Sequence, residues 1–447
     1  MTATDGTGSS KPPTDALSTR SRLADRTVNW LRRLATNRVL DLGAVMLTVS
    51  VLVWWSVVLP PRWNDYDFNH YYVSGRMLLE GQNPYTTSME ATSQALGFRY
   101  SADLPIATYP PPFLWIFTGL AMAPPRAAFA VWVGVEFACL AAILWLTRRL
   151  LGERLSLRGW LFVVALATIS RTVSYSLYYS QAQLLLAGLI LAGYAAQRAG
   201  RHGWACVAIS TAGMLKLYPF ILLPWFVWSG DGGARGRWYR LLGVIGFVLA
   251  VFAVTGPGLW RDFFRYGMPA IAGWEEAGRS FQFSLPALVT NLGYLHDGFH
   301  PSLEARQWWW FVGMLAGLVV FATAYGVCLS SHRDPEAQFS LLCTAMLIGT
   351  VTVQGHYFVF LVFPLTAAAL RIAARPTGGQ VICLVFVVLA FNCVDPPDSL
   401  FLGGHIFLYL LVSDLPLYAL LALAVFFWRE LRSHREFDSG HAVRSES

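Results

Sequence analysis

Two aspartates one residue apart, Asp65 and Asp67, open the stretch of sequence best suited to acid–base work. A fixed carboxylate can take the proton of a nearby hydroxyl, and a pair of carboxylates can hold a divalent cation through oxygen. From Phe68 the apolar positions run Phe68, Tyr71, Tyr72, Gly75, Leu78, Leu79, which is one stripe of an α-helix. Asp67 stands where that helix wants an N-cap, and Gly81 stands where it wants a C-cap. Asp67 therefore has three open readings: a capping carboxylate, a general base, or, with Asp65, a ligand for Mg or Ca. No third acidic residue is close in sequence to complete a cation site.

Polar residues that interrupt apolar sequence form a second group. Lys216 is one of only two lysines and sits in Gly213-Met214-Leu215-Lys216-Leu217-Tyr218-Pro219. An intramembrane lysine costs a few kcal/mol unless it is paired or lines a wet cavity. It either snorkels to the outer interface or faces an anion such as phosphate. Arg171, inside another apolar run, invites the same two readings. Gln181 and Gln183 make a polar patch at the outer boundary of a further run, suited to capping and interface hydrogen bonds. His356, in Gln354-Gly355-His356-Tyr357, reads as a solvated turn residue unless it shares a face with Asp67 and Lys216. The histidines have no clear metal spacing. The six cysteines fall in or at the end of apolar runs with no CxxC pair, and read as small buried hydrophobes.

The elements that must position these residues are membrane helices. Of 447 residues 55% are hydrophobic and 13% charged, where a soluble protein carries about a quarter charged. Runs such as Leu42–Leu59 and Ala127–Leu146 approach the length needed to cross about 30 Å of hydrocarbon. The expectation is an all-α polytopic membrane protein with spans near 42–60, 127–147, 159–178, 181–198, 203–216 and 217–229. Further spans are expected near 239–256, 307–330, 338–354, 357–374, 378–394 and 405–428, about twelve in all.

Arginine bias orients them. Arg20 to Arg38, Arg148 to Arg158, Arg198 with Arg201, Arg235 to Arg240, Arg371 with Arg375, and Arg429 to Arg435 are all cytoplasmic if Tyr109–Pro124 enters and leaves on the outside. That proline-bounded segment is short for a span and is expected to be re-entrant or interfacial. No cleavage site follows the first hydrophobic run, which is expected to be an anchor. Residues 1–38 are expected to be a disordered cytoplasmic tail, 39–430 one membrane domain with outside loops 61–108 and 257–306, and 431–447 a cytoplasmic tail. The net charge of +7 is a topology signal here, with no basic stripe for nucleic acid. The helix starting at Asp67 is expected to lie in the outer interface, its apolar face on lipid or on the spans.

Asp67-Phe68-Asn69-His70-Tyr71-Tyr72 followed by Glu80-Gly81-Gln82-Asn83-Pro84-Tyr85 resembles the opening signature of glycosyltransferase family 87. Tyr109-Pro110-Pro111, Gly213 to Pro219, and His356-Tyr357 with Pro364 match in order behind it. The resemblance implies an integral-membrane GT-C-type bundle like that of bacterial polyprenol-phosphate-mannose-dependent α-mannosyltransferases. It further implies a polyprenyl-phosphate sugar donor, an acceptor that is a lipid or glycan, inversion at the anomeric carbon, and a site facing outward from the bacterial inner membrane. Asp67 would deprotonate the acceptor, while Lys216 and His356 would hold the donor phosphate. No metal or other cofactor is required in that chemistry. Where the family shows Gly-Gln-x-Asn, this chain has Ser180-Gln181-Ala182-Gln183, which leaves open which glutamine touches substrate. The competing expectation is a flippase or transporter for a lipid-linked or anionic solute, with Lys216 and Arg171 on its path.

Overall fold

The computed structural model describes residues 38–64, 67–100, 105–230, 233–270, 282–296, 303–331, 334–350, 353–392, 412 and 414–445. Asp65, residues 1–37, and parts of the 257–306 loop lie outside them. Among the described residues every regular element is a helix.

The chain begins with α1 (Arg38–Val58), a 3-10 turn (Pro60–Asn64), α2 (Asp67–Leu79) and the short α3 (Glu90–Ala95). Next come α4 (Pro111–Leu120), α5 (Pro125–Leu151), α6 (Leu157–Ile169), α7 (Arg171–Tyr178), α8 (Gln183–Arg198) and α9 (His202–Leu215). A 3-10 turn (Tyr218–Leu222) leads into α10 (Leu223–Trp228), α11 (Gly233–Thr255), α12 (Pro257–Asp262) and a π-turn (Phe263–Gly267). The chain then forms α13 (Leu285–His296), α14 (Leu303–Ser330), α15 (Pro335–Gly349), a 3-10 turn (Gly355–Leu361), α16 (Val362–Ala374), α17 (Gly378–Asn392) and α18 (Leu415–Ser445).

Among the described residues five segments are long and apolar enough to cross a bilayer: Leu40–Val58, Pro125–Arg154, Gly233–Thr255, Trp308–Ser330 and Gly355–Ala374. The pair Leu157–Ile169 and Arg171–Tyr178, bent by 49°, passes the same test when taken together, as a broken span or a re-entrant loop. The bend has a local cause at Ser170. Its extended backbone ends α6, and its hydroxyl accepts the N–H of Val173 to start α7. Other stretches expected as spans form shorter helices: α8 has 16 residues, α9 has 14, α15 has 15 and α17 has 15. The expected break at Lys216 is present too. Lys216 is extended, and Phe220 folds back onto Gly213, where a Cβ would stand 2.6 Å from its ring.

α1 and α11 present Leu42, Met46, Val53, Val57, Leu242, Leu249 and Val254 outward, as lipid-facing helices should. Three of the arginines expected on one side make ion pairs with acidic residues. Arg371 on α16 pairs with Asp334 (2.7 Å) and Glu336 (2.9 Å) at the start of α15, and with Glu430 (3.5 Å) on α18. Arg154 also pairs with Glu336, and nearby Arg158 pairs with Asp41 of α1 at 2.9 Å. The helix α18 continues through the expected C-terminal tail to Ser445.

Candidate functional site

α2 forms as its stripe predicts. Asp67 is its first residue, and Gly81, with φ of +75°, follows its end. The Gly81 N–H bonds Leu78 O (3.1 Å) and the Gln82 N–H bonds Met77 O (2.8 Å), the paired closure that a left-handed glycine permits. Packing goes further than an interfacial helix requires. Phe68, Tyr71, Tyr72, Gly75 and Met77 are all buried, and α2 lies on α4. Gly75 allows this approach, since a Cβ there would stand 2.4 Å from the Phe117 carbonyl carbon. The apolar face therefore meets protein.

That packing aims Tyr71 at a cluster of rings made by Tyr109, Phe113, Phe117 and Trp132. The Tyr71 and Tyr109 hydroxyls bond each other at 2.8 Å. Tyr109 is braced from behind, because Tyr85 donates its hydroxyl to the Tyr109 carbonyl at 2.6 Å. Tyr85 is in turn held by its N–H on Asn83 Oδ1 (3.0 Å), and Asn83 Nδ2 donates to Asp262 (2.7 Å) on α12. Thus the two expected outside loops meet directly beside Tyr109. His70, one residue before Tyr71, approaches Thr108 at 3.3 Å, and burial holds its imidazole down at about 4.

Lys216 reaches the same Tyr109. Its ammonium lies 5.2 Å from the ring centre of Tyr109, 4.8 Å from Tyr357 and 6.0 Å from Tyr218. Rings at these distances attract a cation through their faces. Tyr109 is thus the common neighbour of the Asp67 helix and of Lys216. Burial raises the Tyr109 phenol above its ordinary range; the Lys216 charge pulls it back down and the Asp67 charge pushes it further up. Tyr71 is raised by burial, then by Tyr109 and Asp67.

His356 joins this cluster through its neighbour Tyr357, with ring centres 4.9 Å apart. It is 3% exposed, so the solvated-turn expectation is corrected: the 3-10 turn Gly355–Leu361 packs against α7 and α8 and takes the imidazole inside. Arg171 stands at the start of α7. Its N–H bonds Asn392 Oδ1 at 2.9 Å, and its guanidinium lies 4.5 Å from the Tyr175 ring centre. Gly355 rests against that same Tyr175, so Arg171 borders the His356 turn.

Gln181 and Gln183 are both buried between α7 and α8. The Gln181 N–H closes the end of α7 on Ser176 O at 2.8 Å. The Gln183 side chain is 0% exposed, and neither polar atom has a hydrogen-bond partner among the described residues. Ser180 has a φ of +54°, the left-handed region that costs a non-glycine residue about 1 kcal/mol. This is the place where the resembled pattern carries glycine. The backbone bend is kept, and the Trp132 indole donates to the Ser180 carbonyl at 3.1 Å.

Sequence reasoning missed three participants. Tyr71 was absorbed into the apolar stripe, although its hydroxyl is the link to Tyr109. Arg62, in the turn before α2, reaches Tyr178 of α7, a contact across 116 residues that no local pattern contains. Glu136 lies in the middle of α5, 0% exposed, with neither oxygen bonded among the described residues. A lone carboxylate in the apolar run Ala127–Leu146 was the available signal. The structure places the Asp67 helix, Tyr109, Lys216, His356 and Arg171 around one cluster; Asp65 lies outside the described residues.

No curated protein matches the chain. A family does, over residues 107–354, a stretch that begins beyond Asp67, takes in Tyr109, Arg171, Gln181, Gln183 and Lys216, and stops just short of His356. That stretch is more than half of the 447 residues, and on it the chain belongs to glycosyltransferase family 87.

Proposed function

We propose that this membrane glycosyltransferase moves a hexose, mannose among the candidates, from a polyprenyl-phosphate donor to a lipid or glycan acceptor on the extracytoplasmic side, with inversion. In this reading the short helices complete a GT-C-type bundle of about twelve crossings in a bacterial inner membrane. The arginine-rich end faces the cytoplasm and the Lys216 end faces outward.

The observation that carries the reading is Tyr109, whose hydroxyl bonds Tyr71 of the Asp67 helix and whose ring lies 5.2 Å from the Lys216 ammonium. A base and a cation that both act on one phenol suit an in-line displacement. The acceptor oxygen attacks the anomeric carbon as Asp67 takes its proton. The bond from that carbon to the phosphate oxygen breaks on the opposite face, and the electron pair leaves with polyprenyl phosphate. Lys216 stabilises the charge that grows there, and such preorganised stabilisation is worth about 10²- to 10³-fold in rate. His356 and Arg171 border the same leaving-group side; Gln181 and Gln183 lie behind it, and Asp65 precedes the base.

The test is transfer by purified protein given a polyprenyl-phosphate sugar and membrane lipid extract. The wild type transfers sugar and Asp67→Asn does not; equal transfer by both ends the assignment of Asp67 as base.

A further inference from the structure

Between α14 and α18 lies a cavity of about 180 Å³, lined by Gly326, Ser330, Ser331 and Arg432 among others. Liquid water takes about 30 Å³ per molecule, so the space is several waters large. Ser330 closes the apolar segment Trp308–Ser330, which puts the cavity at the membrane interface. Glu430, two residues before Arg432, pairs with Arg371, so the cavity lies at the Arg371 end.

Arg432 differs from Arg371 and Arg154, which are paired with carboxylates. It is exposed, pairs with no carboxylate among the described residues, and lies 4.4 Å from the ring centre of Trp428. A guanidinium resting on a ring keeps its N–H fork for a phosphate. The serine hydroxyls already donate, Ser330 to Val327 O (3.0 Å) and Ser331 to Leu431 O (3.5 Å). They therefore offer lone pairs, which suit the hydroxyls of a headgroup.

A strip runs from the cavity into the membrane along both helices. On α14 Val319, Thr323, Gly326 and Ser330 fall at i, i+4, i+7 and i+11, and all four are exposed. On α18 Leu421, Val425, Trp428 and Arg432 repeat that spacing, exposed except for the half-buried Trp428. The Thr323 hydroxyl folds back onto Val319 O at 2.8 Å, and a Cβ at Gly326 would meet nothing within 4 Å, so the floor is apolar and open. At 1.5 Å per residue each strip rises about 16 Å, about half the hydrocarbon thickness and so one leaflet.

We propose that α14 and α18 hold one anionic glycerophospholipid from the leaflet at the Arg371 end, its phosphate on Arg432 and one chain along the Gly326 strip. Cation, hydroxyl acceptors and apolar strip follow one another in the order of such a lipid's own parts. The site is independent of the sugar transfer proposed above.

Native mass spectrometry of full-length protein in neutral maltoside micelles tests it, with dioleoyl phosphatidylglycerol, dioleoyl phosphatidylcholine and glycerol phosphate as probes. Wild type takes up one phosphatidylglycerol at concentrations where neither phosphatidylcholine nor glycerol phosphate binds. Arg432→Gln weakens that binding about fivefold, the effect of one cation on an anionic lipid. Gly326→Leu, whose side chain enters the open floor, weakens it by at least as much while the unfolding temperature stays near wild type. Arg235→Gln removes another exposed arginine that lies on a ring, that of Tyr239, and leaves binding unchanged. Wild-type affinity in Arg432→Gln, or an equal loss in Arg235→Gln, would overturn the proposal. So would glycerol phosphate binding as tightly as the lipid, which makes this a site for free phosphate. A dimer that Gly326→Leu splits into monomers would overturn it too, since the face would then join two copies of the chain.

Discussion

The two ends of the bundle treat positive charge in opposite ways. At one end Arg371, 15% exposed, is gripped by Asp334, Glu336 and Glu430, with Arg154 sharing Glu336. At the other end Lys216 is held against the faces of Tyr109, Tyr357 and Tyr218. A carboxylate meets a cation with opposite charge and hydrogen bonds, whereas a ring attracts it through a quadrupole. The first arrangement ties α15, α16 and α18 together. The second brings a cation and three tyrosine rings to the place where Tyr109 meets the Asp67 helix.

Substitutions can separate the two. Arg371→Leu should cost about 3 kcal/mol, because it removes the cation that Asp334, Glu336 and Glu430 share. Thermal unfolding in detergent checks this, and activity per folded molecule should stay near wild type. Lys216→Leu should do the reverse, cutting donor use by about 10²- to 10³-fold while the unfolding temperature barely moves. A large fall in stability with Lys216→Leu would make Lys216 a structural cation and dissolve the contrast.

Acid gives a finer separation. The His70 ring is held neutral in the fold at about 4, against 6.5 for a free imidazole. A lowered folded value means the unfolded chain binds the proton first, so this stability is full above about 6.5 and is lost as pH falls toward about 4. His70→Gln should flatten that part of the profile, as followed by unfolding at stepped pH. The smallest effect expected is at Ser180, where Ser180→Gly removes left-handed strain and should add about 1 kcal/mol.

Local pattern made some of this legible and long-range packing hid the rest. The Asp67 helix could be read because stripe, cap position and Gly81 lie within fifteen consecutive residues. The short proline-bounded helix α4 was likewise written locally, in Pro110 to Pro112 and Pro124. Span count was less so, because hydropathy registers apolar runs but not where a bend such as that at Ser170 divides them. His356 looked like a turn residue, and its burial comes from α7 and α8 packing over the turn. Arg62 on Tyr178 and Asn83 on Asp262 join residues more than a hundred positions apart, which no periodicity encodes. Glu136 was visible as a lone acid in an apolar run, and only the structure shows its oxygens without partners among the described residues.

The most direct test of the account is sugar transfer from a polyprenyl-phosphate donor by purified wild type and Asp67→Asn, both checked for the same unfolding temperature. General-base catalysis contributes about 10²- to 10⁴-fold, so the variant should fall by that much while still binding donor. Transfer by Asp67→Asn at the wild-type rate, or no transfer by well-folded wild type, would contradict it.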